Sequence, residues 1–391
     1  MKEKYVILRE SSSRPRGPVA GPSGTGTRAG LEVEVDELDR RASRAVAAKK
    51  DVRAIAPVIP MRLIRPVPRP EDTAQPAAGT AWGITAVKAD VSPFDGTDVV
   101  VAVLDTGIAN AHPAFAGVTI VERDFTGEGN GDTHGHGTHC AGTIFGRDVT
   151  GTRIGVARGV KKALIGKVLG DNGGGSDAIV SAINWSIEEG ANVISMSLGI
   201  DFPGFVDFLI AQQGLPTDLA TTIALEGYRQ NVLLFERLAS LVRAREAFGE
   251  TTVIVAAAGN ESRRDDNKDF EIACSPPAVS EGLISVAALG QTGGALSVAP
   301  FSNTNVMVSG PGVGIQSARH TGGLVAMSGT SMATPHVAGV AALWMQRLAQ
   351  DGPVPGSLLK ARLVASGTLT GLTGDFDVAD VGSGMVQSPL A

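Results

Sequence analysis

From Trp82 onward, short runs of wholly apolar residues recur along this chain: DVVVAVLD (98–105), KALIGKVL (162–169), NVISMSL (192–198), TVIVAAAG (252–259) and LISVAAL (283–289). They alternate with stretches of helical period, among them SDAIVSAINWSIEEG (176–190) and SMATPHVAGVAALWMQRLAQ (331–350). Runs apolar on both faces and separated by helices predict an α/β fold, a three-layer parallel sheet with helices on both faces. In such sheets functional residues gather where strands end and helices begin.

The first eighty residues follow another pattern. KYVILRE (4–10) reads as a strand, LEVEVD (31–36) alternates like one, DELDRRASRAVAAKK (36–50) has helical period, and VRAIAPVIPMRLI (52–64) reads as extended chain. These predict a small α+β unit over residues 1–76. Its Pro/Gly/Ser stretch at 11–30 is expected to be a mobile loop, and the Pro-rich stretch 66–80 a linker to a second domain at 77–391. Within that domain, two stretches of helical period fall at about 200–250.

Composition changes this picture little. Fifty glycines among 391 residues suit many tight strand-to-helix turns. The net charge of −6 points away from nucleic acid. Charge is uneven: residues 1–80 hold 15 Lys+Arg against 10 Asp+Glu, about +5, leaving about −11 on the remainder. Cys140 and Cys274 read as buried free thiols. No run reaches the ~18 apolar residues of a membrane span, and MKEKYVILRE is too short and charged for a secretory signal. A cytoplasmic protein with no membrane partner is therefore expected; a secreted one would have had its signal trimmed.

Three motifs fall at strand and helix ends. VAVLDTGI places Asp105 at the end of an apolar strand. Asp-Thr-Gly also fits an aspartic protease, but that chemistry needs a second carboxylate motif, and none occurs. GDTHGHGTHCAGT carries His134, His136 and His139. A zinc hydrolase would need an Asp where Thr138 stands and further histidines downstream, where only His320 and His336 remain. The simpler reading makes His136 a general base at a helix start, with His134 and His139 in supporting places. GLVAMSGTSMATPHVAG puts Ser331 in the first turn of an apolar helix, where a serine is most often an N-cap. There the orphan N–H groups, that of Ser331 included, face any developing oxyanion. A serine nucleophile needs a base and the base an orienting carboxylate, roles that His136 and Asp105 can fill.

Together, and in the order Asp…His…Ser, the motifs resemble the subtilisin-like serine protease family (subtilases, peptidase S8) over roughly residues 80–391. HGTHCAGT leans toward its proteinase K-like branch. The resemblance implies a serine endopeptidase working through an acyl-enzyme on Ser331, with Asn260 of VIVAAAGNES in the oxyanion hole beside the Ser331 amide. It also implies a peptide-binding cleft whose edges are Leu169–Ser176, including Leu169, Gly173, Gly174 and Gly175, and Ser197, Leu198 and Gly199, with Gly259 next to the oxyanion site. Extended substrate would pair there as an added strand. Glu261 and Asp177 lie near the family's side-chain pockets and point to basic substrate side chains.

The resemblance makes the 1–76 unit an inhibitory propeptide, an intramolecular partner that the enzyme cuts off itself somewhere in 72–81. Protein or peptide is the expected substrate. No cofactor is required and no metal ligand is assigned: the family's strong calcium site has an Asp where Ala114 follows His112-Pro113, so calcium is left only weak structural sites. Against the family's pattern the helical stretches at about 200–250 are an insertion; it begins beside Ser197–Gly199 and is expected to shape or restrict the cleft. Two other functions compete: peptide transfer such as macrocyclisation, and a zymogen-locked binding module.

Overall fold

A computed structural model describes residues 2–11, 30–73 and 78–391. The expected mobile loop 11–30, apart from its two ends, and the expected domain boundary at 76/77 lie outside the described residues.

In the N-terminal unit β1 (Glu3–Ser11), β2 (Gly30–Leu38) and, after helix α1 (Arg40–Ala47), β3 (Val52–Pro57) form an antiparallel sheet ordered β2-β1-β3. Helix α1 starts later than the helical period of 36–50 predicts. Residues 36–38 stay paired with β1, and the Asp39 carboxylate accepts from the Arg41 and Ala42 N–H groups at 2.9 and 2.8 Å, capping the helix there. Alternation along β1 sends Tyr5 and Ile7 toward α1, where they pack with Leu38. Val6 and Leu8 face the other way and join the main domain's core. So small a unit buries too little surface on its own, and part of its core is shared with its neighbour.

The chain leaves this unit through β4 (Pro60–Leu63) and re-enters regular structure at β5 (Gly79–Thr80) and α2 (Trp82–Ala86). The main domain then opens with β6 (Val100–Asp105), β7 (Thr119–Asp124), α3 (His136–Phe145), β8 (Thr152–Arg153) and β9 (Lys162–Lys167). Next come β10 (Gly174–Gly175), α4 (Ser176–Glu188), β11 (Val193–Met196) and β12 (Leu198–Ile200). The insertion forms α5 (Phe202–Ala211) and α6 (Thr217–Ala244). The sheet resumes with β13 (Val253–Ala257), β14 (Ile284–Thr292), β15 (Ala295–Val298) and β16 (Val308–Pro311). A hairpin of β17 (Ile315–Ala318) and β18 (Leu324–Met327) precedes α7 (Thr330–Ala349), α8 (Gly356–Ala365) and α9 (Val378–Val381).

The central sheet runs β15-β14-β13-β11-β6-β9-β7, with β16 also paired to β14, and all its pairs are parallel except β14–β15. Its strands are apolar on both faces because each face has its own core. Val101 and Val103 of β6 pack with Ile144 of α3 and Val337 of α7. Ala102 and Leu104 pack with Ile183 of α4 and Phe235 of α6. This is the three-layer α/β sandwich expected from the sequence, preceded by the small α+β unit.

That unit sits on the α4 and α6 side, its β1 and β2 against α4 and its β3 against α6. The contact with α6 is specific: Asn231 Nδ2 donates to the Pro57 carbonyl at 3.0 Å. Among the described residues no helix is long and apolar enough to cross a membrane.

Candidate active site

Asp105 is the last residue of β6 and His136 the first of α3, so one strand end and one helix start bring them together. Both are wholly buried, and His136 Nδ1 lies 2.8 Å from Asp105 Oδ1. An ionised carboxylate only accepts, so Nδ1 carries the proton and Nε2 is left as the basic nitrogen. The same Oδ1 accepts from the Thr106 N–H at 2.8 Å. The approach is close because Gly137 has no side chain: a Cβ there would lie 2.2 Å from the Gly107 carbonyl oxygen. Burial pulls the His136 pKa down, but the adjoining Asp105 charge outweighs it and holds the imidazole well above 6.5.

Asp132 is a residue that motif reading passed over. Its Oδ1 accepts from Thr106 Oγ1 and the His134 and Gly135 N–H groups, and its Oδ2 from the Thr138 N–H and Oγ1, at 2.6–3.1 Å. One carboxylate thus ties the start of α3 to the loop after β6 and fixes where His136 points. The signal was present: an Asp four residues before a helix-initial His sits where first-turn N–H groups need an acceptor.

Ser331 is the second residue of α7, buried, with its amide among the unpaired N–H groups of the first turn. Asn260 follows β13. Its Oδ1 accepts from the Thr330 N–H and Oγ1, both at 2.9 Å, which turns its Nδ2 toward the cleft beside Ser331. Gly259 N–H donates to Thr330 Oγ1 at 3.2 Å. Cys140 lies beneath, its Sγ 3.7 Å from His136 Nδ1 and 3.4 Å from the Ser331 carbonyl, its pKa pushed up by burial. Both cysteines are buried and free.

The cleft is filled by the chain's own β4. It pairs antiparallel on one side with β10, Gly174 opposite Met61, and on the other with β12, where Leu198, Gly199 and Ile200 face Leu63, Arg62 and Met61. Gly173 has φ 84°, and a Cβ on it would lie 2.8 Å from the Met61 carbonyl, so that wall admits backbone only. Leu169 packs in the same core as Met61, which is 1% exposed. Ile64 N–H donates to the Ser197 carbonyl at 3.4 Å, and its side chain, 5% exposed, ends against Gly199.

Beyond Leu63 the segment crosses Ser331. Ser331 Oγ donates to the Ile64 carbonyl at 2.8 Å, and Asn260 Nδ2 donates to the next carbonyl, that of Arg65, also at 2.8 Å. Val67 N–H then donates to the Ser328 carbonyl at 2.8 Å. With the serine proton turned to Ile64, His136 Nε2 has no hydrogen-bond partner among the described residues. Within the expected linker 66–80, residues 67–72 are held in place: Asp72 Oδ1 accepts from Ser328 Oγ at 2.7 Å and Arg69 pairs with Asp265 at 2.7 Å. Prolines that read as linker composition fit equally well in an extended strand held by a groove. The bond at Ser331 is Ile64–Arg65, upstream of the 72–81 window.

Other predicted residues take different places. His134 is exposed and edge-on to His136, ring centroids 6.3 Å apart. His139 is buried against the Ile315 carbonyl, and burial pushes its pKa down to about 3. Glu261 is held by Asn303 Nδ2 at 2.6 Å. Ala114, in the calcium-ligand position, is wholly buried and offers only a methyl group. Asp105, His136 and Cys140 bring three ligand-type atoms within 4.8 Å, but the Asp105–His136 hydrogen bond already occupies two of them.

Comparison with known proteins gives the following. The Subtilase family model (Peptidase_S8) matches residues 96–376. Subtilisin DY of Bacillus licheniformis is 33% identical over 276 residues, 68% of this chain and 84% of that protein. The major intracellular serine protease of Bacillus subtilis is 32% identical over 273 residues, 67% of this chain and 73% of that one. Alkaline serine exoprotease A of Vibrio alginolyticus is 34% identical over 292 residues, 73% of this chain, which spans only 45% of that protein. Among solved structures, fervidolysin from Fervidobacterium pennivorans, described as a keratinolytic enzyme related to subtilisin, aligns with a TM-score of 0.65 at 22% identity. That alignment covers 100% of this chain and 62% of fervidolysin, and it shows a shared fold.

Proposed function

The chain belongs to the subtilase family, and from that premise we propose that it is a serine endopeptidase made with its own inhibitor in the cleft. Ser331 Oγ attacks the carbonyl carbon of a bound peptide while its proton passes to His136 Nε2. The Asp105 carboxylate holds the Nδ1–H tautomer and offsets the imidazolium charge. The oxyanion is met by Asn260 Nδ2–H and the Ser331 N–H at the positive end of α7. His136 then returns the proton to the leaving amine, and water repeats the sequence on the acyl-enzyme to release the acid and Ser331.

The observation that carries this reading is the antiparallel seating of β4 between β10 and β12, with the Ile64 carbonyl on Ser331 Oγ. A slot that pairs with backbone on both sides binds extended peptide largely irrespective of side chains, as a general peptidase requires. Residues 1–76 then act as an inhibitory propeptide and 77–391 as the catalytic domain. The insertion α5–α6 shapes the cleft: α6 docks the N-terminal unit, and Asp201, which caps α5, reaches the bound strand.

A fluorophosphonate tests the reading by labelling activated serines. The protein is expected to gain one adduct on Ser331, more slowly while β4 is in place. Absence of an adduct once the N-terminal unit has been removed would refute the peptidase reading and leave a binding module.

A further inference from the structure

We propose that Asp201 is a specificity-determining residue, selecting a cationic side chain at the third position before the bond that is cut; this rests on the peptidase reading above. The register defines the position. Ile64 presents its carbonyl to Ser331, Leu63 precedes it, and Arg62 is the third residue, directly opposite Gly199. Strand alternation turns Arg62 out of the floor of the cleft while its neighbour Met61 is buried. Arg62 Nη1 meets Asp201 Oδ2 at 2.6 Å.

Asp201 is in place without the segment. It is the N-cap of α5, and its Oδ1 accepts from the Gly204 N–H at 2.9 Å. One carboxylate oxygen is therefore spent on the helix and the other is aimed at the cleft, so a substrate guanidinium or ammonium meets a fixed partner. Backbone pairing along β12 would bring the third residue of any extended peptide to the same spot. Asp201 belongs to the insertion, which gives that segment a chemical part in choosing substrate as well as a structural one. The pair is half open to water, with 60% of the Arg62 side chain and 31% of that of Asp201 exposed, so the preference is graded rather than absolute.

The test offers the full-length protein peptides of sequence Met-Xaa-Leu-Ile carrying a chromogenic amide after Ile, with Xaa as Arg, Gln or Glu. The expected kcat/KM for Arg exceeds that for Gln about threefold and that for Glu about tenfold, a preference that shrinks with added salt. Asp201→Asn keeps a good helix cap and removes the charge, so it should level the three rates, and Asp201→Lys should invert their order. Equal rates in the unaltered protein, or a preference that survives Asp201→Asn, overturn the proposal. If no peptide is cut while β4 fills the cleft, the peptidase reading is left to the fluorophosphonate label, and the subsite is judged in Ser331→Ala by hydrogen exchange at residues 61–63. There Arg62→Glu should speed exchange and adding Asp201→Lys should slow it again; exchange indifferent to both changes overturns the proposal.

Discussion

The two halves of the segment that fills the cleft are held in different ways. Before Ser331, residues 60–63 are strand, paired on both edges with Met61 buried, and the buried Ile64 carries the register one residue further through its N–H. After it, Pro66, Pro68 and Pro70 remove every second N–H, no ladder forms, and the hold passes to Val67 N–H, Arg69 and Asp72. The consequence falls on the bond between the halves. Asn260 Nδ2 is bonded to the Arg65 carbonyl, while among the described residues the carbonyl at Ser331, that of Ile64, receives the serine's own proton alone. The difference teaches that binding a strand and activating its carbonyl are separate tasks here: the first half is bound as substrate would be, and the second half keeps the oxyanion donor elsewhere.

Changes at the junction of the halves should have the largest effects. Asp105→Asn leaves both halves seated but removes the charge that raises the His136 pKa, and turnover should fall about 10⁴-fold. The same charge sets the pH dependence. Only neutral imidazole accepts the serine proton, and because the pKa is raised, the rate should climb with pH through an apparent pKa above 6.5. In the Asn variant the main charge opposing burial is gone and that limb should move to lower pH. A pH–rate profile of both proteins checks the two statements together.

Asn260→Ala should lower turnover about 10²–10³-fold, a magnitude carried over from the equivalent donor in subtilisin. Steady-state kinetics should show the loss in kcat with little change in KM, since the first half's strand pairing is untouched. Met61→Ala acts on that half alone. Emptying so buried a site costs about 2–4 kcal/mol, and hydrogen exchange of residues 60–64 in a Ser331→Ala background should quicken while that of β6 does not. Pro66→Ala acts on the other half. Restoring an N–H lets the chain re-pair past Ser331, and self-cleavage at Ile64–Arg65, followed by mass spectrometry, should speed up by about tenfold.

Much of this was legible beforehand for a physical reason. Strands buried on both faces must be apolar throughout, so VIVAAAG and VVVAVLD declare a covered parallel sheet, and a triad confined to strand ends and helix starts leaves local motifs around Asp105, His136 and Ser331. What stayed hidden depends on distant pairing. Nothing near Asp132 or Asp201 marks them except a capping position, a role that most such acids fill with no further duty. The Pro-rich 66–80 stretch has the composition of a linker, and only distant partners, the Ser328 carbonyl for Val67 and Asp265 for Arg69, hold its described part in place. Helix α1 begins later than its period predicts because Asp36–Leu38 stay in the strand and Asp39 serves as the cap.

The central claim is that Ser331 is the nucleophile of a cleft occupied by the protein's own chain. Intact mass spectrometry of the wild type and of Ser331→Ala, expressed and incubated side by side, tests it most directly. The account predicts that the variant stays one 40.0 kDa chain while the wild type splits at a bond in the stretch that spans the cleft. Matching fragments in both proteins, or a wild type that remains whole under the same incubation, would contradict it.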